Sequence, residues 1–221
     1  MTQDLEIADK ALSGYFNALQ QVSDTKNFSL DSALGALGKS AGAIPGIDQS
    51  QVTSVDTFAT FVAGLATGAM REKTLGDLIN DGAPKAKAVV DVLQQVGVPA
   101  LKTIYRNELT TTTSTFVSYV QSTGVAFDIG GNSCSAGPNA KDFTTGNAFL
   151  LAMEYCRRVQ AITAKQNALN SYDNSLGSAR TTLQQLIDGK DKLKDTDVIQ
   201  NLLKDASTLR TDVDAMKKAF G

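Results

Sequence analysis

Apolar residues recur every three or four positions along most of this chain, the spacing of helices that bury one face. Leu5, Ala8, Leu12, Tyr15, Phe16, Leu19 and Val22 make one such stripe. Leu30, Leu34 and Leu37 mark a short second helix, ended by the glycine-rich stretch before Pro45. Thr53 and Asp56 read as a capping box ahead of Val55, Phe58, Phe61, Val62 and Leu65. Gly82 is expected to stop that run, and Pro84 suits the first turn of the next helix. Val89, Val92, Leu93, Val96, Leu101, Ile104 and Tyr105 continue the face, with a kink expected at Pro99. Residues 110–120 are rich in β-branched side chains, which permits a strand. Leu109, Phe116, Val117 and Val120 still keep a helical face there, so a helix is expected.

A very long helix is predicted from near Phe143 to Ile187. Its seam of Leu169, Tyr172, Leu176, Ala179, Leu183 and Leu186 steps by three and four, as in a coiled coil. Ile199, Leu202, Ala206, Leu209, Val213, Met216 and Phe220 repeat that spacing after the polar turn GKDKLKDTD. Two matched seams joined by a short turn predict an antiparallel helical hairpin. Its first arm, unbroken, measures about 65 Å at 1.5 Å per residue. With no repeat period and no linker, the expectation is one all-α domain over residues 1–221, an elongated helical bundle. Residues 1–122 supply the N-terminal helices, 123–142 a glycine-rich loop, and 143–221 the coiled-coil-like hairpin.

Composition removes more chemistry than it suggests. The chain has 221 residues, enough for a substantial core, with 42% hydrophobic and 20% charged residues. Net charge is −2, and Lys and Arg alternate with acids, so nothing offers the basic footprint of a nucleic-acid binder. Histidine is absent, and with it the commonest general base and the usual zinc and iron ligand. No cofactor and no catalytic residue are expected. The longest clearly apolar run, Thr57 to Met70, falls short of the roughly 20 residues a bilayer span needs. The chain opens directly on an amphipathic helix, so a preceding signal or lipid anchor is compatible with it.

Individual motifs weigh toward structure. Gly38, Lys39 and Ser40 match the tail of a phosphate-binding loop, but Ala33 stands where its first glycine belongs, and no strand precedes it. A glycine-closed helix end is the better reading. Gly64 and Gly68 suit a tight helix crossing, with membrane insertion as the alternative. Asp188, Asp191, Asp195 and Asp197 interleave with Lys190, Lys192 and Lys194, which describes a solvated turn better than a calcium loop. Asn27, Phe28 and Ser29 fit the glycosylation acceptor pattern, a weak signal. Tyr105 with Arg106, and Tyr155 with Arg157 and Arg158, line an anion pocket or, more often for such residues, lie over helix surfaces and pair with acids.

Cys134 and Cys156 are the two cysteines. Cys134 sits in FDIGGNSCSAGPNAKDF, and Cys156 lies on the helix that follows. Three readings stand: a disulfide, two structural thiols, or a reactive Cys134 near Lys141 and a helix start. The disulfide leads, because the loop is long enough to fold back on that helix. Asp128, Asn132 and Ser133 are the loop residues expected to meet a partner.

The stretch FATFVAGLATGAMREKTLGDLINDGAPKAKAVVDVLQQV, residues 58–96, resembles uncharacterised helical proteins of Gram-negative envelopes, many of which begin as lipoproteins. Shared features are the small-residue helix, Arg71 just after it, and the restart at Ala83 and Pro84. The resemblance implies a periplasmic or outer-membrane-anchored protein, tethered through an N-terminal lipid, with no assigned activity. Its pattern does not require Cys134 or Cys156, so a disulfide would be a local feature. The expectation is a non-enzymatic protein that binds an unidentified protein partner. A small-ligand carrier with a cleft between helices and an α-helical pore former are the alternatives.

Overall fold

A computed structural model describes residues 11, 12, 14–16, 19, 53–55, 57, 58, 60–62, 75–123, 134, 146–189 and 196–220. Among these the fold is all-α; every residue is helical except Gly189, which turns the chain after the longest helix. Four helices have full bounds: α1 (Leu75–Val92), α2 (Val98–Thr123), α3 (Gly146–Asp188) and α4 (Thr196–Phe220). A single π turn, Leu93–Gly97, joins α1 to α2.

The boundary expected at Gly82 and Pro84 is absent, because α1 runs straight through both. Gly82 is a packing residue. A Cβ there would lie 2.3 Å from Tyr15 Cε2 and 2.8 Å from Phe61 Cε1, so only glycine lets α1 approach those rings. Pro84 removes one backbone donor from the helix interior. In the turn it disturbs, the Lys85 ammonium donates to the Asp81 carbonyl at 2.6 Å.

The π turn reshapes the next stretch. Val98 N–H donates to the Leu93 carbonyl, five residues back, so the ladder holds one extra residue ahead of Pro99. That insertion rotates everything downstream. Leu93, Gly97, Val98 and Leu101 face inward, whereas Ile104, expected on the buried face, is 42% exposed. The 110–120 stretch is helical as expected. Its hydroxyls bond back to the preceding turn: Thr110 Oγ1 to Arg106 O at 3.0 Å, and Ser118 Oγ to Ser114 O at 3.0 Å. Threonine and serine are thereby accommodated within a helix.

The main core gathers Leu12, Tyr15, Phe16 and Leu19 with Phe58 and Val62, the inner face of α1, and the start of α2. The C-terminal half of α3 closes it through Leu169, Tyr172, Leu176, Leu183 and Leu186, and Leu209 and Val213 of α4 complete it. Tyr15 sits at its centre, wholly buried, its hydroxyl donating to the Leu78 carbonyl at 3.1 Å. Burial holds the Tyr15 phenol well above the ordinary range.

The seam predicted on α3 is buried throughout. Thr182 donates to Asp205 at 2.5 Å, and Ser175 donates to Asp212. Seven residues forward on α3 thus match seven backward on α4, so α4 returns along α3. Both hydroxyls are buried, so each carboxylate contact satisfies a polar group inside the seam. At 43 residues α3 spans about 65 Å. The N-terminal half of α3 packs on the C-terminal half of α2, and its C-terminal half on α1, the start of α2 and α4. Lys102 to Asp173, at 2.6 Å, and Arg180 to Asp91 fasten it across to α2 and α1.

Candidate functional site

Among the described residues, the C-terminal half of α2 and the N-terminal half of α3 form an arm with its own small core of Phe116, Val120, Ala152, Tyr155 and Cys156, against which Cys134 also packs. Phe116 stacks on Tyr155 with ring centroids 4.3 Å apart and planes 6° apart, and Tyr119 stacks beyond Phe116 at 6.4 Å. The arm is pinned by a disulfide from Cys134 to Cys156, with the two Cα atoms 4.8 Å apart. One turn further along α3, Gln160 Nε2 donates to the Cys134 carbonyl at 2.6 Å. The bonded reading of the cysteines therefore stands over the free or reactive thiol. Asp128, Asn132 and Ser133 lie outside the described residues, as do Gly38, Lys39, Ser40, Gly64, Gly68, Asn27, Asp191 and Asp195.

The arm differs from the other described parts in what it leaves exposed. Leu150 is 64% exposed, Met153 47% and Leu151 42%, all within one turn of α3. With Ile104 they are the large hydrophobic residues exposed among those described. Beside them a cleft of about 720 Å³ opens between α2 and α3. Phe116, Tyr119, Tyr155 and Leu151 line it, together with the charged Glu108, Arg157 and Arg158. Both arginines hold one carboxylate: Arg157 grips Glu154 through Nε and Nη2 at 2.7 and 2.8 Å, and Arg158 Nε adds a third bond at 2.8 Å. Those donors pull the Glu154 carboxyl down from 4.5 to about 2, and the same contact raises Arg157. The arginines thus pair with an acid on the helix surface, as the sequence favoured. Tyr105 packs against the main core under the Lys165 ammonium, 5.4 Å from the ring centroid, and Arg106 is exposed. Burial, then the nearby Glu108 carboxylate, raises the Tyr105 phenol.

A second concavity, of about 640 Å³, lies where the π turn meets the α3–α4 pair. Its walls are polar, with Gln94, Asn174, Thr181, Asn201 and Lys204 among them. Gly177 is part of its lining, and a Cβ there would meet only the Gln94 Nε2, at 3.3 Å. Sequence reasoning offered Tyr155, Arg157 and Arg158 as pocket-lining residues only as its less favoured reading, and these do line the first cleft; it found no sign of the second concavity. The exposed leucines and methionine were visible as AFLLAME, but a long helix hides which of its apolar residues lack a neighbour. The groove had no sequence signal, since it depends on a π turn that no residue pattern announces.

Among the described residues no group of three or more Cys, Asp or Glu side chains is placed to hold a metal ion, and no helix is long and apolar enough to cross a membrane. The chain matches no family model, no curated protein and no solved structure.

Proposed function

We propose that this is a non-enzymatic helical protein that docks another protein on the α2–α3 arm. The observation that carries the reading is the exposed turn of Leu150, Leu151 and Met153 beside an aromatic stack and two arginines. Aromatic residues, methionine and arginine are the types enriched where proteins bind one another, and contiguous exposed apolar surface marks such sites. A surface that must present fixed side chains gains from a rigid base, and the Cys134–Cys156 bond supplies one. The same bond supports an oxidising compartment. Together with the resemblance to Gram-negative envelope proteins, this makes the periplasm, or a lipid-tethered position at the outer membrane, the proposed location. In this reading α3 and α4 are a coiled-coil-like scaffold, supported by two hydroxyl–carboxylate bonds one heptad apart.

The test is capture from an envelope extract by the full chain and by a Leu150→Asp, Met153→Asp variant. Both positions are exposed, so the variant keeps its fold, which circular dichroism verifies. A protein retained by the parent and lost by the variant supports the reading. Capture that survives the double change refutes it.

The polar groove at the π turn favours a second reading, a carrier of a small polar ligand. π turns interrupt helices at a cost and recur at functional sites. A thermal-shift screen separates the two, because a ligand selective for the native state raises its melting temperature.

A further inference from the structure

We infer that the polar groove at the π turn binds a neutral saccharide, held by Gln94 and by amide and hydroxyl side chains of α3 and α4. This rests on the carrier reading of that groove and names the class of ligand. Two observations carry it.

The first is what lines the groove. No aromatic or wholly apolar side chain is among its lining residues. Gln94, Asn174, Gln185 and Asn201 carry amides, each with two N–H donors and a carbonyl acceptor. None of these four amides is hydrogen-bonded to another described residue, and the Ser178 hydroxyl beside them is equally unclaimed. The π turn holds Gln94 half-buried against α3, where Gly177 leaves its amide room. A sugar ring presents neighbouring hydroxyls that each donate and accept, which is what a set of amides can answer. The volume of about 640 Å³ lies within the roughly 300–1,000 Å³ of ligand sites.

The second is charge, which disfavours the other small polar ligands. Both lining carboxylates are engaged: Asp173 pairs with Lys102 at 2.6 Å, and Asp205 accepts the Thr182 hydroxyl at 2.5 Å. Lys204 is the lining cation, so Lys102 and Lys204 together balance the two acids. A phosphate or dicarboxylate is recognised by clustered Lys and Arg, and here it would meet two carboxylates instead. A polyamine needs surplus acid, and the groove has none. A nucleobase gains from an aromatic ring to stack on, which the lining lacks. A neutral polyol asks for none of these.

NMR titration of the full, oxidised chain tests this. The probes are N-acetylglucosamine, maltose and maltotetraose, with phosphate, glutamate and spermidine as charged controls. The expected result is saturable movement of the side-chain NH2 signals of Gln94 and Asn174 with a neutral sugar, at a Kd of about 0.1–1 mM, and none with the controls. A gain in affinity from maltose to maltotetraose marks a glycan chain as the occupant, and equal affinity marks a free sugar. Asn174→Ala and Asn201→Ala change exposed residues, and each weakens binding by about 2–10-fold, the loss of one hydrogen bond. Gly177→Leu fills the groove and abolishes binding, whereas Leu150→Asp with Met153→Asp leaves it unchanged. Sugar binding indifferent to all three groove changes overturns the inference. A charged control that moves these signals in place of the sugars overturns it too, and leaves the carrier reading standing. Signals that no probe moves remove both.

Discussion

Gly82→Ala sets two physical effects against each other at one position. Gly82 lies inside α1, where alanine is favoured over glycine by about 0.8–1.0 kcal/mol. On propensity alone the substitution stabilises. The added Cβ, however, would sit 2.3 Å from Tyr15 Cε2, 2.9 Å from Tyr15 Cζ and 2.8 Å from Phe61 Cε1. Tyr15 has no room to retreat: its hydroxyl is bonded to the Leu78 carbonyl, and the rings of Phe16 and Phe58 lie 5.8 and 5.7 Å away. Overpacking a filled core costs about 1–3 kcal/mol, and contact with a fixed ring belongs at the upper end. The net effect is a loss of about 1–2 kcal/mol, or about 3–6 °C in melting temperature for a chain of this length. Gly177→Ala is the matched control. Its Cβ would meet only the Gln94 side-chain nitrogen, at 3.3 Å, the end of a flexible side chain. Propensity therefore wins there, with a gain of about 0.5–1 kcal/mol. Thermal and urea unfolding of both variants, followed by circular dichroism, measures the contrast. A Gly82→Ala protein as stable as its parent would refute the packing argument, whatever Gly177→Ala does.

Three further outcomes follow from the described contacts. Thr182→Val keeps shape but leaves the Asp205 carboxylate without its donor, and lowers stability by about 1–3 kcal/mol in urea unfolding. Non-reducing mass measurement finds no free thiol, and reduction of the Cys134–Cys156 bond, which closes a 22-residue separation, costs about 3 kcal/mol in the chain-entropy model. The Glu154 carboxyl, followed by NMR, titrates near 2 rather than near 4.5. Because its folded value is the lower one, the pairing with Arg157 and Arg158 is fully present above pH 4.5 and is lost as pH falls through about 2. A midpoint near 4.5 would mean that the arginines are not held.

Elements whose pattern is local were legible in the sequence. The α3 seam reads directly as three-and-four spacing, and each of its six predicted residues is buried. The hydroxyl-rich stretch of α2 was readable as helix because Phe116 and Val120 kept the helical face despite strand-favouring neighbours. What failed was judged from one residue type at a time. Gly82 and Pro84 resemble a stop and a start, yet Gly82 serves the approach of Tyr15, which is 67 positions away in the chain. The turn of Leu93–Gly97 moved Ile104 outward and Val98 inward, a shift invisible to any fixed period. The candidate site was half legible. Cys134 and Cys156 were paired correctly, and the arginine–acid pairing was the favoured reading, but the exposed strip that makes the arm a docking surface depends on which neighbours α3 lacks. That is a property of the assembled fold and not of the helix itself.

Photocrosslinking tests the docking claim most directly. A photoreactive side chain is placed at position 150, on the exposed turn of the arm, and in a separate chain at position 178, in the polar groove. Each is irradiated alone at high concentration and again in envelope extract. The account predicts a protein adduct from position 150 and none from position 178. No adduct at 150, or equal adducts at both, would contradict it.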